Sequence, residues 1–335
     1  MEMSMQIMKQ FLLNEEDELK KNFVFSPLSI NTLSSILANG LKPGCTLDSL
    51  LSLLGFKTLA DLNANACTDH QLTSLNANDG PQLFSVNGFW IDKKYRLDPS
   101  LEKALAMLYF VTREEAVDKI NTWAADSTKG LIRNLFEYEA VSKETRLILA
   151  NALYFKGAWD SPFDPSRIRT ENFYILNDDV VQVPYMCNND LDSGLYVSSE
   201  GFKVLRIPYE NYWYRKKRGE KVFAMYILLP DDKDGLLNLL DQISSDPCLL
   251  DLQFELSTTY RIRKLRIPKF KFKFNFQLSK VTKRLGLSMK EEKLVNICHS
   301  SCIDINEHGT EAAAVTEDTL GSPIFLGAVV NPLLE

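Results

Sequence analysis

Histidine and cysteine side chains are the groups of this chain best suited to bind a metal, and several cluster near its C-terminal end. Cys298, His299 and Cys302 fall within five residues, and His308 follows six residues later. The surrounding run predicts a β-strand, on which residues four apart are separated by roughly 13 Å, too far to bind one ion. We therefore predict no metal site. The other cysteines lack C-x-x-C spacing, so free thiols are expected.

His299 is the member of this cluster whose orientation the strand pattern predicts. Side chains alternate between the two faces of a strand, so His299 shares a face with Ile297 and Ile303 and points inward. A buried histidine needs hydrogen-bond partners. Two interpretations share this geometry, namely an ordinary core histidine and a histidine at a point where a sheet opens.

Motifs for catalysis are missing from the sequence. It contains no G-x-S-x-G, no H-E-x-x-H, no Walker loop and no G-x-G-x-x-G between a strand and a helix. Acidic residues are abundant, but a catalytic carboxylate pair cannot be recognised without its geometry. We therefore predict no catalytic residues, no cofactor and no enzymatic activity.

The composition indicates a globular protein and excludes several other classes. The chain has 335 residues, of which 45% are hydrophobic, so it can bury a large core, and no linker rich in Pro, Gly or Ser divides it. A net charge of -6 provides no general attraction to nucleic acid or anionic membranes. No apolar run approaches the roughly twenty residues that span a bilayer, and residues 1–17 do not resemble a secretion signal. We expect a soluble monomer in the cytoplasm, or in nucleus and cytoplasm, with an extracellular location left open.

Helices are predicted mainly in the first half of the chain and strands mainly in the second. The clearest elements are helices over residues 26–40 and 114–128, the latter followed by Gly130 as a cap, and buried strands over residues 146–155 and 222–229. Helices followed by mainly antiparallel strands indicate an α+β fold.

Two patterns of charge allow a functional or a structural interpretation. Lysine and phenylalanine alternate over residues 269–276, which suits a stacking surface for single-stranded nucleic acid or a strand with its phenylalanines toward the core. Four consecutive cations at residues 215–218 suit a nuclear-localisation patch or a solvated turn. We favour the strand because the chain is acidic, and the turn because charge at a turn costs little.

Six segments resemble the serpin family of serine-protease inhibitors, in the family's order and over nearly the whole chain. They are residues 22–30 (NFVFSPLSI), 86–92 (VNGFWID), 151–159 (NALYFKGAW), 267–272 (IPKFKF), 306–314 (NEHGTEAAA) and 325–332 (FLGAVVNP). Each segment is weakly specific alone, and together they are highly specific. The GTEAAA form is most similar to the plant branch of the family.

The resemblance implies a fold and a set of site residues. The fold is α+β: one domain over residues 1–335, with N-terminal helices, a large, mainly antiparallel sheet A and a smaller C-terminal, barrel-like sheet B/C, here incomplete. Residues 322–332 would form a strand of sheet B. The implied hinge of the reactive-centre loop is Glu307, Gly309, Thr310, Glu311, Ala312, Ala313 and Ala314. The implied shutter, where sheet A opens, is Ser26, Ser29, Asn151 and His299, and the implied breach residue is Trp159.

For an intact serpin, the resemblance implies a mechanical inhibitor. A serine protease, or a papain-like cysteine protease, attacks a bait bond in the loop, and the cleaved loop then inserts as an extra strand in sheet A before the acyl-enzyme hydrolyses. Insertion releases strain stored in the native fold. Small residues in the hinge permit insertion, since they fit between packed strands.

The bait part of the loop is predicted to be missing from this chain. In the family the reactive bond lies roughly sixteen residues beyond the position of Glu307, on a long exposed loop, and that count reaches Pro323 here. Pro323 belongs to a segment that resembles the last strand of sheet B. The distal loop, the strand after it and a phenylalanine-rich strand are absent between Ala314 and Val315, and an edge strand of the large sheet is absent near residues 110–111. We therefore predict weak or no inhibition, an unidentified reactive bond and a weakened fold.

Two alternatives to a non-inhibitory protein remain. One is an active inhibitor of serine or papain-like cysteine proteases, with a short loop over residues 315–323 and its bait at residues 316–320. The other is a binding or scaffold protein that uses the serpin body to contact an unknown protein partner. Disruption of the hinge would abolish inhibition and leave scaffold binding intact.

Overall fold

The computed structural model describes residues 2–13, 21–41, 43–70, 74–76, 80–94, 102, 108–128, 130, 132–136, 138, 141, 144–175, 179–188, 195–220, 222–246, 249, 262, 264–278, 295–311, 315–317 and 322–334. Expectations for Ala312, Ala313 and Ala314 lie outside these residues. Within them, no helix is long and apolar enough to cross a membrane.

The two helices expected from the sequence are confirmed. Helices of the described residues are α1 Glu2–Leu13, α2 Pro27–Gly40, α3 Cys45–Leu54, α4 Leu59–His70, α5 Arg113–Ser127, α6 Tyr212–Lys217 and α7 Leu236–Ser245. The Ser26 side chain caps α2 by accepting a hydrogen bond from the Ser29 backbone N–H at 3.1 Å, and Pro27 occupies the first turn. Gly130 has a φ of 83°, in the left-handed region that favours glycine just beyond a helix such as α5.

A large sheet of seven strands lies at the centre of the fold. Its strands, numbered in chain order, are β2 Ser74–Asn76, β3 Gln82–Asp92, β4 Leu108–Val111, β5 Leu147–Ala158, β12 Phe270–Gln277, β13 Val295–Asn306 and β14 Gly309–Glu311. They are arranged β12-β13-β14-β5-β3-β2, with β4 beside β3. The central β5 confirms the buried strand predicted over residues 146–155, and pairing is mainly antiparallel, as expected for sheet A.

Three smaller sheets surround the large one. The first contains β8 Leu195–Ser198, β9 Phe202–Pro208, β10 Phe223–Pro230, β15 Val315–Glu317 and β16 Ser322–Pro323, in the order β16-β15-β10-β9-β8. The second contains β6 Arg169–Tyr174, β7 Val180–Asn188 and β11 Leu265–Pro268, and the third pairs β1 Phe23–Phe25 with β17 Leu326–Ala328. These sheets remain open in the described residues, so the expected barrel-like form is not observed. The C-terminal strand expected over residues 322–332 is divided into β16 and β17, which pair with different strands.

The hydrophobic core has three parts that together cover both faces of the large sheet. One lies among α1, α2, α3 and α7. A second joins the large sheet to the smaller ones and contains Phe155, Trp159 and Tyr209. The third lies between α5 and the large sheet and contains the buried residues Cys298 and Cys302. Side chains at the contact between β13 and β5 are therefore deeply buried.

The two charge patterns have different outcomes. On β12, Phe270 and Phe272 are buried and Lys271 and Lys273 are exposed, which confirms the interpretation as a strand with its phenylalanines toward the core. The run at residues 215–218 is largely exposed, as expected for a solvated segment, but most of it lies in α6 and not in a turn. The reason is local: buried Tyr212 anchors the segment, and its backbone closes a helical turn by hydrogen bonding.

The edge strand predicted to be missing near residues 110–111 is present. Strand β4 pairs in parallel with β3 over residues 89–92. Trp90 of β3 stacks on Tyr109 of β4, with ring centroids 5.7 Å apart, so aromatic packing holds this short strand in place.

Candidate functional site

The predicted hinge leaves β13 and turns back into the large sheet. Glu307 and His308 form the turn, and β14 follows, antiparallel to both β13 and β5. Gly309 is paired with Asn306 on one side and with Ala158 on the other. The first three residues of the predicted hinge strand therefore lie between β13 and β5.

This arrangement requires a close approach of two glycines. A Cβ atom added to Gly309 would clash with the backbone oxygen of Gly157 and lie 2.9 Å from the Cα of Ala158. Because these contacts are with backbone, no side chain can move aside to relieve them. Gly309 is therefore the residue that allows the hinge strand to fit beside β5.

Trp159, the predicted breach residue, holds the hinge turn in position. Its indole Nε1–H donates to the Asn306 carbonyl at 2.9 Å, and its backbone N–H donates to the His308 carbonyl at 3.0 Å. The ring is 2% exposed and stacks on Tyr209 with centroids 5.0 Å apart. Trp159 thus satisfies two backbone carbonyls of a turn that lies at the edge of the core.

Tyr209 is a second aromatic residue next to the hinge strand. It is fully buried, and Thr310 of β14, which is 2% exposed, lies close to its phenol. Burial raises the pKa of Tyr209 above its ordinary value, and the Thr310 hydroxyl offsets a smaller part of this shift. The phenol therefore stays protonated, and no negative charge forms beneath the hinge.

An ion pair fixes the start of the hinge. Lys269 Nζ lies 2.6 Å from Glu307 Oε2, and the Glu307 carbonyl accepts a hydrogen bond from the Phe163 backbone N–H at 2.9 Å. The Glu307 side chain is 16% exposed. Its hydrogen bond to Lys269 is the main reason that the pKa of Glu307 is lowered. The carboxylate is therefore ionised and joins the hinge to the residue just before β12.

The four predicted shutter residues meet where α2 packs against the large sheet. The Ser26 backbone N–H donates to His299 Nε2 at 3.1 Å, and Ser26 also caps α2 through Ser29, as described above. His299 faces Asn151 across the parallel contact of β13 and β5, and Asn151 Nδ2 donates to Asn87 Oδ1 at 2.9 Å. This row of polar groups connects β13, β5 and β3 beneath α2.

His299 is neutral in this environment. Its side chain is completely buried, and burial lowers the pKa of His299 to about 3. Because Nε2 accepts a hydrogen bond, the ring proton lies on Nδ1 in the neutral form. The inward orientation expected from the strand pattern is confirmed. Ser26, one of the three partners that the resemblance implied together with Ser29 and Asn151, donates the hydrogen bond from its backbone N–H.

The hinge and the shutter lie along one seam. Strands β13 and β5 are paired directly over residues 295–300 and 147–152, around the shutter. Further along, β14 separates residues 304–306 from residues 156–158. Strands β13 and β5 are thus paired directly at the predicted shutter and separated by β14 at the predicted hinge.

Comparison with known proteins identifies the family. The family model for Serpin (serine protease inhibitor) matches residues 1–330. The chain belongs to the serpin family. It is similar to Serpin-ZX of Arabidopsis thaliana, at 35% identity over 93% of this chain and 92% of that protein, and to Serpin-Z10 of the same plant, at 36% identity with the same coverage.

A solved serpin structure shares the fold. The Arabidopsis AtSerpin1 structure in its native stressed conformation superposes with a TM-score of 0.84, at 33% identity, over 99% of this chain and 96% of that chain. The plant-type resemblance and the serpin fold are therefore confirmed. The match to Serpin-ZX extends over 371 residues, more than the 335 of this chain, so it contains positions that the relative fills and this chain lacks.

The connection after the hinge is short in this serpin. Strand β14 ends at Glu311 in the large sheet, and β15 begins at Val315 in the five-stranded sheet, where Val315 is paired with Met225 of β10. Only residues 312–314 connect the two sheets.

Of the bait loop predicted over residues 315–323, residues 315–317, 322 and 323 lie in paired strands. Residues 315–317 pair with β10, and Thr316 and Glu317 also pair with Pro323 and Ser322 of β16. These residues are fixed by backbone hydrogen bonds within a sheet and do not form an exposed loop. Residues 318–321 lie outside the described residues.

The prediction that strands are absent after Ala314 holds in part. Strand β15 covers β10 at residues 223–225, whereas Leu229 near the far end of β10 is 57% exposed. On the side of β10 that faces β15, no described strand pairs beyond Met225. A three-residue strand therefore remains where the sequence predicted none.

Sequence reasoning missed several residues that hold the hinge. Lys269 and Gly157 lie in segments that resemble the family, so the signal was present, but nothing in the sequence indicates that they contact the hinge. Tyr209 has no local signal at all, because its role depends on a contact with a residue 101 positions away in the sequence, Thr310. Among the described residues, no group of three His, Cys, Asp or Glu side chains is arranged to hold a metal ion.

Proposed function

We propose that this chain is a serpin body that does not inhibit proteases, because its reactive-centre loop is too short to present a bait bond. The observation that carries the proposal is the connection of residues 312–314 between β14 in one sheet and β15 in another. In this proposal the chain acts through its surface and not as an enzyme.

Chain geometry limits what this connection can do. Four peptide steps of about 3.8 Å separate the Cα atoms of Glu311 and Val315, so they lie at most about 15 Å apart. An inhibitory loop must extend from the body to a protease active site and still retain enough chain to insert into the sheet. A stretch of three residues that already joins two sheets leaves no excess length for either step.

Further insertion is also opposed by the pairing of β15. For residues 312–314 to extend β14 into the large sheet, Val315 would have to leave Met225 and β15 would have to separate from β10. Each backbone hydrogen bond lost would cost about 1 kcal/mol net. The hinge is therefore held in its partly inserted position by both sheets at once.

We propose that residues 1–335 form one domain. Within it, the residues of the site have the following roles. Glu307, Gly309, Thr310 and Glu311 form the hinge, and Trp159 serves as the breach. Ser26, Ser29, Asn151 and His299 form the shutter that keeps the sheet closed below it. In this state the shutter has a structural role, since no long loop follows to open it. The partner is then a protein bound by the monomeric body rather than a protease trapped as an acyl-enzyme.

Incubation with trypsin, chymotrypsin and papain tests this proposal. We expect no complex that survives boiling in SDS and no stoichiometric loss of protease activity, because no bait bond is presented. A covalent complex with any of the three proteases would overturn the proposal. If a complex forms, the Ala312→Arg variant tests whether it depends on insertion of the hinge. A complex that is lost in this variant depends on insertion.

A chimera provides the matched control. The segment that a plant-type serpin carries between its hinge and its sheet B strand is inserted between Ala314 and Val315. We expect the chimera to gain covalent complex formation while the natural chain has none, which attributes the difference to loop length. Equal activity of the two proteins would contradict the proposal.

A further inference from the structure

A basic and aromatic surface lies on α6, in the connection between β9 and β10. The helix has the sequence Tyr-Trp-Tyr-Arg-Lys-Lys, and Arg218 follows it directly. Trp213 is 37% exposed and Tyr214 is 63% exposed. The other tryptophans of the chain, all of them described, are buried or half-buried. Exposure of two large aromatic rings beside a run of cations needs a reason, since burial would stabilise them.

The rings of this surface are held in place by guanidinium groups. The Arg206 side chain, only 4% exposed, lies over the Tyr212 ring at 5.0 Å and over the Trp213 ring at 5.7 Å. Arg218 lies over the Tyr214 ring at 5.5 Å and donates a hydrogen bond to its hydroxyl at 3.0 Å. Contacts of this kind order exposed rings before a partner arrives, so less entropy is lost on binding.

The backbone of the surface is equally well defined. Asn211, at φ 61°, is the only non-glycine residue with a left-handed backbone in the described part of the chain, and it directly precedes the helix. The Arg215 N–H donates to the Asn211 carbonyl at 2.9 Å, and the Glu220 N–H donates to the Arg215 carbonyl at 3.0 Å. Both ends of α6 are therefore fixed, although the helix is short.

The charge of this surface is opposite to that of the chain. Residues 215–218 carry four consecutive cations, whereas the protein as a whole has a net charge of -6. Glu220 forms ion pairs with Arg218 at 2.6 Å and with Arg215 at 3.8 Å. One carboxylate neutralises part of the charge, and the exposed Lys217 lies on the same helix. A local positive surface on an acidic protein attracts acidic groups in one orientation.

We propose that the α6 surface, defined as Trp213, Tyr214, Lys217 and Arg218, binds an acidic segment of a partner protein. Trp, Tyr and Arg are the residues that most often dominate protein–protein binding energy. An extended polyanion such as nucleic acid is disfavoured, because it would reach beyond a Debye length of about 8 Å into the acidic remainder of the surface. This inference does not depend on the length of the reactive-centre loop.

Binding of a defined probe tests the α6 surface. The probe is a fluorescein-labelled peptide of twelve residues in which Glu and Leu alternate, and the readouts are fluorescence anisotropy and acrylamide quenching of tryptophan. We expect saturable binding that protects Trp213 from quenching. We expect the Kd to rise at least tenfold in Lys217→Glu and in Trp213→Ala.

Lys57→Glu is the matched control, since it makes the same change of charge at an exposed residue outside α6. We expect it to change the Kd less than twofold. Lack of saturable binding, or equal weakening by Lys57→Glu and Lys217→Glu, would overturn the proposal. So would tighter binding of a labelled oligouridylate, because the surface would then select nucleic acid. Thermal unfolding of each variant tests whether it is folded. If Trp213→Ala unfolds, Lys217→Glu still tests the proposal, because Lys217 is exposed.

Discussion

The two ends of the seam between β13 and β5 are held by different chemistry. At the closed end, buried polar side chains connect neighbouring elements, as in the hydrogen bond from the Ser26 backbone to His299. At the open end, β14 enters because Gly309 fits against Gly157, and Trp159 binds the turn that precedes it. The same two strands are therefore held together by buried side chains at one end. At the other end, Gly157 and Gly309 have no side chain, so a third strand can enter between them.

The difference also explains why opening stops where it does. The seam closes again at residue 300 of β13, next to the shutter row. Moving β14 further would separate His299 from Asn151, and buried polar groups that lose their neighbours are costly. At the other end of β14, the connection of residues 312–314 to β15 also restricts movement of β14. Under the proposed function, the hinge is thus limited by the predicted shutter ahead of it and by residues 312–314 behind it.

The largest expected effect comes from removing the fit at the open end. Gly309→Ala places a Cβ against the backbone of Gly157, and we expect a loss of about 3 kcal/mol of unfolding free energy, because overpacking against backbone cannot relax. Chemical denaturation, followed by Trp fluorescence, measures this loss. Gly201→Ala is the control: nothing lies within 4 Å of its Cβ, so only its left-handed φ of 85° opposes alanine. Equal losses in the two variants would show that β14 does not lie against β5.

At the closed end, we expect a smaller, pH-dependent effect from His299. Burial lowers the pKa of His299 in the folded protein to about 3, below the value of about 6.5 expected when unfolded. Protonation therefore favours the unfolded state, and stability falls as the pH decreases through 6.5 toward 3. Between pH 7 and pH 5 the loss is about 2 kcal/mol.

The His299→Gln variant sharpens this test, because it keeps a hydrogen-bond acceptor without an imidazole. We expect its unfolding free energy to depend less on pH between 7 and 5 than that of the natural protein, by about 2 kcal/mol. His308→Gln is the control, since His308 is 77% exposed. An unchanged pH dependence in His299→Gln would mean that His299 is not buried as described.

The smallest effect is expected at the ion pair beside the open end. Glu307→Gln removes the charge that pairs with Lys269, and we expect a loss of about 1 kcal/mol at pH 7. The pKa of Glu307 is lowered in the fold, so this contribution is present above the ordinary carboxyl pKa and disappears as the pH falls through the folded value. Thermal unfolding at pH 7 measures the loss of stability, and the same measurement at pH 3 tests whether that loss disappears.

Glu115→Gln is the matched control, because Glu115 pairs with Lys119 at an exposed site on α5. Exposed pairs contribute little, and we expect a change smaller than that of Glu307→Gln. If Glu307→Gln is no more destabilising than Glu115→Gln, the pair with Lys269 does not hold the hinge.

Much of the fold was predictable because its signals are local. The cap at Ser26, the proline after it and Gly130 define two helices through backbone chemistry that neighbouring residues control. Alternation on β12 and β13 predicts which side chains face the core, including His299, because a strand has a period of two. The run of small residues after Glu307 and the segments shared with serpins indicated the family and the hinge.

Tertiary structure alone decided how those parts meet. The sequence did not predict that Val315 pairs with Met225, because three residues of strand carry too little pattern to be recognised. Nor did it predict the edge strand β4, which is stabilised by Trp90 from another strand. Contacts of the hinge with Tyr209 and Lys269 join residues far apart in the chain. Sequence patterns record the neighbours of a residue along the chain, whereas the limits on this hinge arise from residues brought to it by the packing of two sheets.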